Sequence, residues 1–76
     1  MIVEVWGTEH CVFCKKAIEL LVQKQADYSY IDMENYPMKF ASLFPGAKTV
    51  PQIIVDGKWV GGYGDLAAMF AVGDLE

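Results

Sequence analysis

The chain reads as an α/β domain in which a four-stranded mixed sheet carries helices on both faces, in the order β-α-β-α-β-β-α. Three features predict this. A β-branched and aromatic run at residues 2–6 leads into a helix-period segment and then a second strand-like run, the pattern of a parallel β-α-β unit. Asp56-Gly57 falls between two short apolar runs, a hairpin signal. An apolar segment at residues 65–72, followed by Gly73, closes the chain as a helix.

Taken in order, Ile2–Trp6 (IVEVW) reads as a buried strand and Gly7–His10 as a short polar loop. From Val12 to about Lys24, Ala17, Ile18, Leu20 and Leu21 recur at helical spacing opposite Lys15, Lys16, Glu19 and Gln23. Tyr28–Asp32 alternates as a second strand and should lie parallel to the first, because such crossovers are right-handed and local. Asn35-Tyr36-Pro37 is a helix entry with proline in the first turn, and a short helix runs to about Phe44 before Pro45-Gly46. Gln52–Val55 and Trp59–Val60 are the hairpin strands. Gly61-Gly62 breaks the chain before a last helix from about Asp65 to Val72, with Gly73 as its stop. This is the minimal thioredoxin-like architecture.

Composition narrows the function. With 76 residues, 54% of them hydrophobic, the chain makes one domain, 1–76, near the lower limit of what folds without staples. Its two cysteines are three positions apart, so a disulfide between them closes too small a loop to restrain the unfolded chain. The net charge is −4 and all six basic residues are lysines, which argues against nucleic acid. No apolar run approaches the ~20 residues of a membrane span, and MIVEVWG lacks the pattern of a signal peptide. A reducing, cytoplasmic setting follows, where a close cysteine pair is more often catalytic or metal-binding than structural.

Disulfide chemistry needs a thiolate, and a helix amino terminus favours one. Cys11 stands at that terminus and Cys14 lies one turn along, within reach. Cys11 is therefore the expected nucleophile and Cys14 the resolving thiol. The competing reading, half of a zinc site, is incomplete unless two chains share the metal, since His10 is the one further soft donor and tetrahedral zinc wants four. No metal site is expected. His10 reads as an exposed loop residue; protonated, it would favour the Cys11 thiolate. Phe13 reads equally as an exposed ring for docking a client or as a ring folded onto the body. Trp6, Trp59 and Tyr63 are likewise core or docking surface.

Cys11-Val12-Phe13-Cys14, then Thr49-Val50-Pro51 within Gly46-Ala47-Lys48-Thr49-Val50-Pro51, then Gly61-Gly62 before the last helix, together resemble the glutaredoxin family along nearly the whole chain. The resemblance implies a glutathione-dependent thiol–disulfide oxidoreductase with no tightly bound cofactor. Glutathione would be co-substrate and protein disulfides the clients. It implies a cis Val50–Pro51 bond that turns the backbone of Val50 towards the cysteines, where an extended peptide can pair with it. It further implies that backbone N–H groups at Gly62, Tyr63 and Gly64 hold glutathione's γ-glutamyl carboxylate, an ordinary use of a helix amino terminus. Asp65 would bind its ammonium; the plainer role for Asp65 is a helix cap.

The sequence departs from the family at Thr8, where a lysine usually reaches the glycine carboxylate of glutathione, and at Met38 in the second helix. Lys39 and Lys48 are the candidate substitutes. Short bacteriophage glutaredoxins share Cys-Val-aromatic-Cys, so a bacterial or phage-infected host cytoplasm and a monomer are expected. Redoxins that feed ribonucleotide reductase and are recycled by thioredoxin reductase are the alternative. An iron–sulfur carrier bridging two chains through Cys11 is a third reading, opposed by Cys14, because a resolving thiol competes with cluster ligation.

Overall fold

The structure, a computed structural model, describes residues 1–73. Strand β1 (Ile2–Gly7) leads to helix α1 (Val12–Gln23) and strand β2 (Asp27–Asp32); a 3-10 turn at Met33–Asn35 precedes helix α2 (Pro37–Leu43). Strands β3 (Gln52–Val55) and β4 (Lys58–Gly61) form the hairpin, and helix α3 (Tyr63–Gly73) follows. The sheet order is β2-β1-β3-β4, with β1 parallel to β2 and antiparallel to β3. The mixed sheet with helices on both faces is as expected.

Each face buries its own cluster. Val3 and Val5 of β1 with Ile53 and Val55 of β3 pack against Ala17, Leu21, Leu66 and Phe70 of α1 and α3. On the other face Trp6 packs with Phe40 and Phe44 at α2. Because α2 is only seven residues long, it covers one end of that face, and Ile2 is 69% exposed. The expectation that residues 2–6 form a strand buried throughout is therefore corrected: β1 is dry towards α1 and α3 and half-open towards α2.

The element ends show where the sequence reading holds and where it does not. Helix α1 ends as expected, capped by Lys24, but the turn that follows uses Gln25 at φ 55, with Gln25 N–H on Val22 O and Ala26 N–H on Leu21 O. That is the two-bond Schellman closure usually built on glycine. Helix α3 starts at Tyr63, two residues before the expected Asp65, and Gly73 is still helical, so its expected role as a stop falls beyond the described residues. The hairpin follows the sequence signal: Asp56 (φ 49) and Gly57 (φ 84) both take positive φ, as a tight primed turn requires.

Candidate active site

Cys11 is the N-cap of α1, and its Sγ accepts a hydrogen bond from the Cys14 N–H at 3.1 Å. The two sulfurs are joined in a disulfide, with Cα atoms 5.1 Å apart. A carboxylate is absent from the first turn of α1, so nothing there offsets the positive end of the helix dipole. Once the disulfide opens, that end and the Cys14 N–H stabilise a Cys11 thiolate. The sulfurs are unequal in access: Cys14 is 1% exposed, whereas Cys11 is half-buried at the rim.

Cys14 owes its burial partly to Gly7, a residue the sequence reading passed over. A Cβ built on Gly7 would collide with Cys14 Sγ and lie 3.3 Å from the Tyr30 ring. A glycine ending a strand is the available signal, since it often marks a close approach. Tyr30 sits beside this point. Its own burial first, then the charges of Asp32, Glu34 and Glu9, push its phenol above the ordinary value.

The loop before β3 faces the cysteines. Val50–Pro51 is cis, as the family resemblance implied, and Val50 O lies 3.6 Å from Cys11 Sγ. Beside it runs an open groove of about 410 Å³. Thr49, Val50 and Pro51 line one side and Gly62, Tyr63 and Gly64 the other, with Phe13 at the cysteine end. Phe13 is half exposed, and its ring leans on Tyr63 with centroids 6.0 Å apart. Lys16 Nζ stands 5.2 Å over the same ring, a cation–π contact. Trp6 is core, and Trp59 is 45% exposed while stacked edge-on to Phe44.

The start of α3 is shaped by Asp65, whose Oδ2 accepts from Gly62 N–H at 3.1 Å. As the third residue of α3, Asp65 reaches back to the N-cap, which is half of a capping box. Gly61 has φ 122, and a Cβ there would drive into the Asp65 carboxylate, so only glycine fits. Asp65→Ala should lower stability by about 0.5–2 kcal/mol through loss of this cap, read as a lower urea midpoint at unchanged slope.

The remaining candidates separate. Lys48 lines a smaller cavity of about 290 Å³ with Met33, Phe40 and Ala47; it shares Thr49 and Val50 with the groove. Lys39, by contrast, lines a cavity of about 440 Å³ with Ile2, Glu4 and Trp6 on the open face under α2. None of the residues lining this cavity belongs to the cysteine groove. Lys39 is exposed on that face, while its neighbour Phe40 is buried against Trp6 and Phe44. Thr8 is half-buried in the loop before α1 and His10 is exposed there; neither lines the groove. Among the described residues, no three His, Cys, Asp or Glu side chains could hold a metal ion, and no helix is long and apolar enough to cross a membrane.

A disulfide at a helix terminus opposite a cis-proline loop serves one chemistry, exchange between thiols and disulfides, within the thioredoxin-like fold. A family profile described as glutaredoxin matches residues 3–60. The chain is 33% identical to glutaredoxin 3 of Escherichia coli over 97% of its own length and 92% of that protein. The structure of reduced Escherichia coli glutaredoxin superposes with a TM-score of 0.81 at 27% identity, covering all of both chains. A buckwheat glutaredoxin–glutathione complex gives 0.81 at 26% identity, covering 96% of this chain and 71% of that one. The chain belongs to the glutaredoxin family, and its Cys-x-x-Cys pair makes it a dithiol thiol–disulfide oxidoreductase.

Proposed function

We propose that the chain reduces protein and glutathione mixed disulfides and is itself recycled by glutathione. The thiolate of Cys11 attacks a disulfide sulfur; the old S–S bond breaks, its other sulfur leaves as a thiolate, and a mixed disulfide with Cys11 forms. Cys14 or a second thiol then attacks that bond and releases the partner, and two glutathione thiols restore the dithiol. The half-buried position of Cys11 against the sealed position of Cys14 supports this division of labour.

One observation carries the glutathione reading: the groove beside Cys11 runs between the Val50 backbone and the amino terminus of α3. An extended tripeptide disulfide-bonded to Cys11 would pair with the Val50 backbone. Its γ-glutamyl carboxylate would meet the N–H groups of Tyr63 and Gly64, the Gly62 N–H being taken by Asp65 Oδ2, and its ammonium would meet the Asp65 carboxylate. Lys48, at the other end beside Thr49, is the substitute for the lysine missing at Thr8. Glutathione is a co-substrate in this scheme, and the protein works as a monomer in a reducing cytoplasm.

Thr8 favours a second reading, a redoxin recycled by thioredoxin reductase that feeds ribonucleotide reductase. Oxidised protein mixed with NADPH, glutathione and glutathione reductase should consume NADPH rapidly. With NADPH and thioredoxin reductase alone, consumption should be at least about tenfold slower, the mark of a groove rather than a reductase docking face as the electron entry. Fast turnover only in the second mixture would overturn the glutathione reading and establish the redoxin.

A further inference from the structure

We propose that Gln52, its amide held by Trp59, is a positioning residue that aims the Val50 N–H into the groove beside Cys11. Among the described residues Gln52 is the one polar side chain that the fold buries, at 7% exposure. Both ends of its amide are used. Nε2 donates to Thr49 O at 2.9 Å, and Oε1 accepts from Trp59 Nε1 at 2.9 Å. A weaker contact, Nε2 to Thr49 Oγ1 at 3.5 Å, lies on the same side.

The orientation of this amide is dictated by chemistry. An indole nitrogen only donates, so the amide oxygen must face Trp59 and the NH2 must face Thr49. Trp59 is in turn fixed by its ring, packed edge-on against Phe44 at 5.4 Å. The consequence lies one bond further along. Thr49 C=O and Val50 N–H belong to one planar trans peptide and point in opposite directions. Holding the carbonyl down onto Gln52 turns the Val50 N–H away from the interior. Val50 is the residue whose carbonyl stands 3.6 Å from Cys11 Sγ, and it lines the groove. The relay from Trp59 to Gln52 to Thr49 therefore sets the edge on which an extended substrate pairs, without touching the substrate.

Gln52→Leu removes the donor and leaves Thr49 O free to turn. Trp59→Phe keeps a ring on Phe44 but lets the amide flip, so it should act in the same direction and more weakly. The assay follows reduction of a glutathionylated peptide with dithiothreitol as the reductant. Its outcome is then independent of the proposal that glutathione recycles the enzyme, on which only the choice of peptide rests. Gln52→Leu should raise KM about tenfold with kcat within about twofold of the parent, the size expected for one lost buried hydrogen bond. Trp59→Phe should raise KM about threefold, and the double variant should match Gln52→Leu alone, because both act through one amide. Lower thermal stability with KM unchanged in Trp59→Phe would overturn the proposal, as would independent, multiplying effects in the double variant. If Gln52→Leu does not fold, Trp59→Phe alone decides by its KM.

Discussion

Replacing Cys11 with serine should abolish disulfide reduction, lowering turnover on a glutathionylated peptide by at least about a thousandfold, as loss of a covalent nucleophile does. The hydroxyl is a far weaker acid than the thiol, and the hydrogen bond from the Cys14 N–H and the α1 dipole cannot supply the difference. Cys14→Ser should behave differently. Cys14 is sealed from solvent, so its loss leaves the attack of Cys11 intact and removes only the internal release of the partner. That variant should retain reduction of the glutathionylated peptide, where an external thiol can resolve the intermediate, and should fail on an intramolecular protein disulfide. The two substrates assayed side by side make the check. Equal loss on both substrates in Cys14→Ser would refute the assignment of attacking and resolving sulfurs.

Gly7→Ala is the second large effect. The added methyl would collide with the buried Cys14 Sγ, with the Tyr30 ring 3.3 Å away. Overpacking of this kind costs about 1–3 kcal/mol and should appear as a lower denaturant midpoint. Because the collision is with sulfur, a Cys14→Ala background should relieve it. Gly7→Ala should then be nearly neutral there, and a double-mutant cycle should return a coupling of about 1–2 kcal/mol. Additive effects in that cycle would show that the methyl strains something other than the active-site sulfur. The glycine thus bears on both stability and the reach of the resolving thiol, which links the packing of β1 to the chemistry of α1.

Much of the fold was legible because its determinants are local. The 3.6-residue period of Ala17, Leu20 and Leu21 announces α1, and Asp56-Gly57 announces the hairpin because its positive φ values suit those residues. The Schellman turn at Gln25 was not legible, since glutamine carries no signal for a left-handed residue; contacts of Leu21 and Ala26 with the core hold it there. The early start of α3 has a similar cause. Asp65 looked like a first residue because it follows Gly61-Gly62, but the bond from Leu66 N–H to Gly62 O starts the helix two residues earlier, and Asp65 caps it from the third position.

For the site, the sequence by itself determined the reaction. Two cysteines spaced three apart at a helix start can form and break a disulfide, and the spacing alone puts them within reach. The tertiary structure decided the rest: which sulfur is exposed, that Gly7 lies against the other, that Lys48 and Lys39 line separate cavities, and that Gln52 bridges Thr49 and Trp59 in the loop opposite. Those outcomes depend on strand order and register, which bring Gly7 against Cys14 and Val50 against Cys11 across 39 residues of chain. A pattern of period two or 3.6 says which side of an element is apolar, but only the packed sheet says what that side meets.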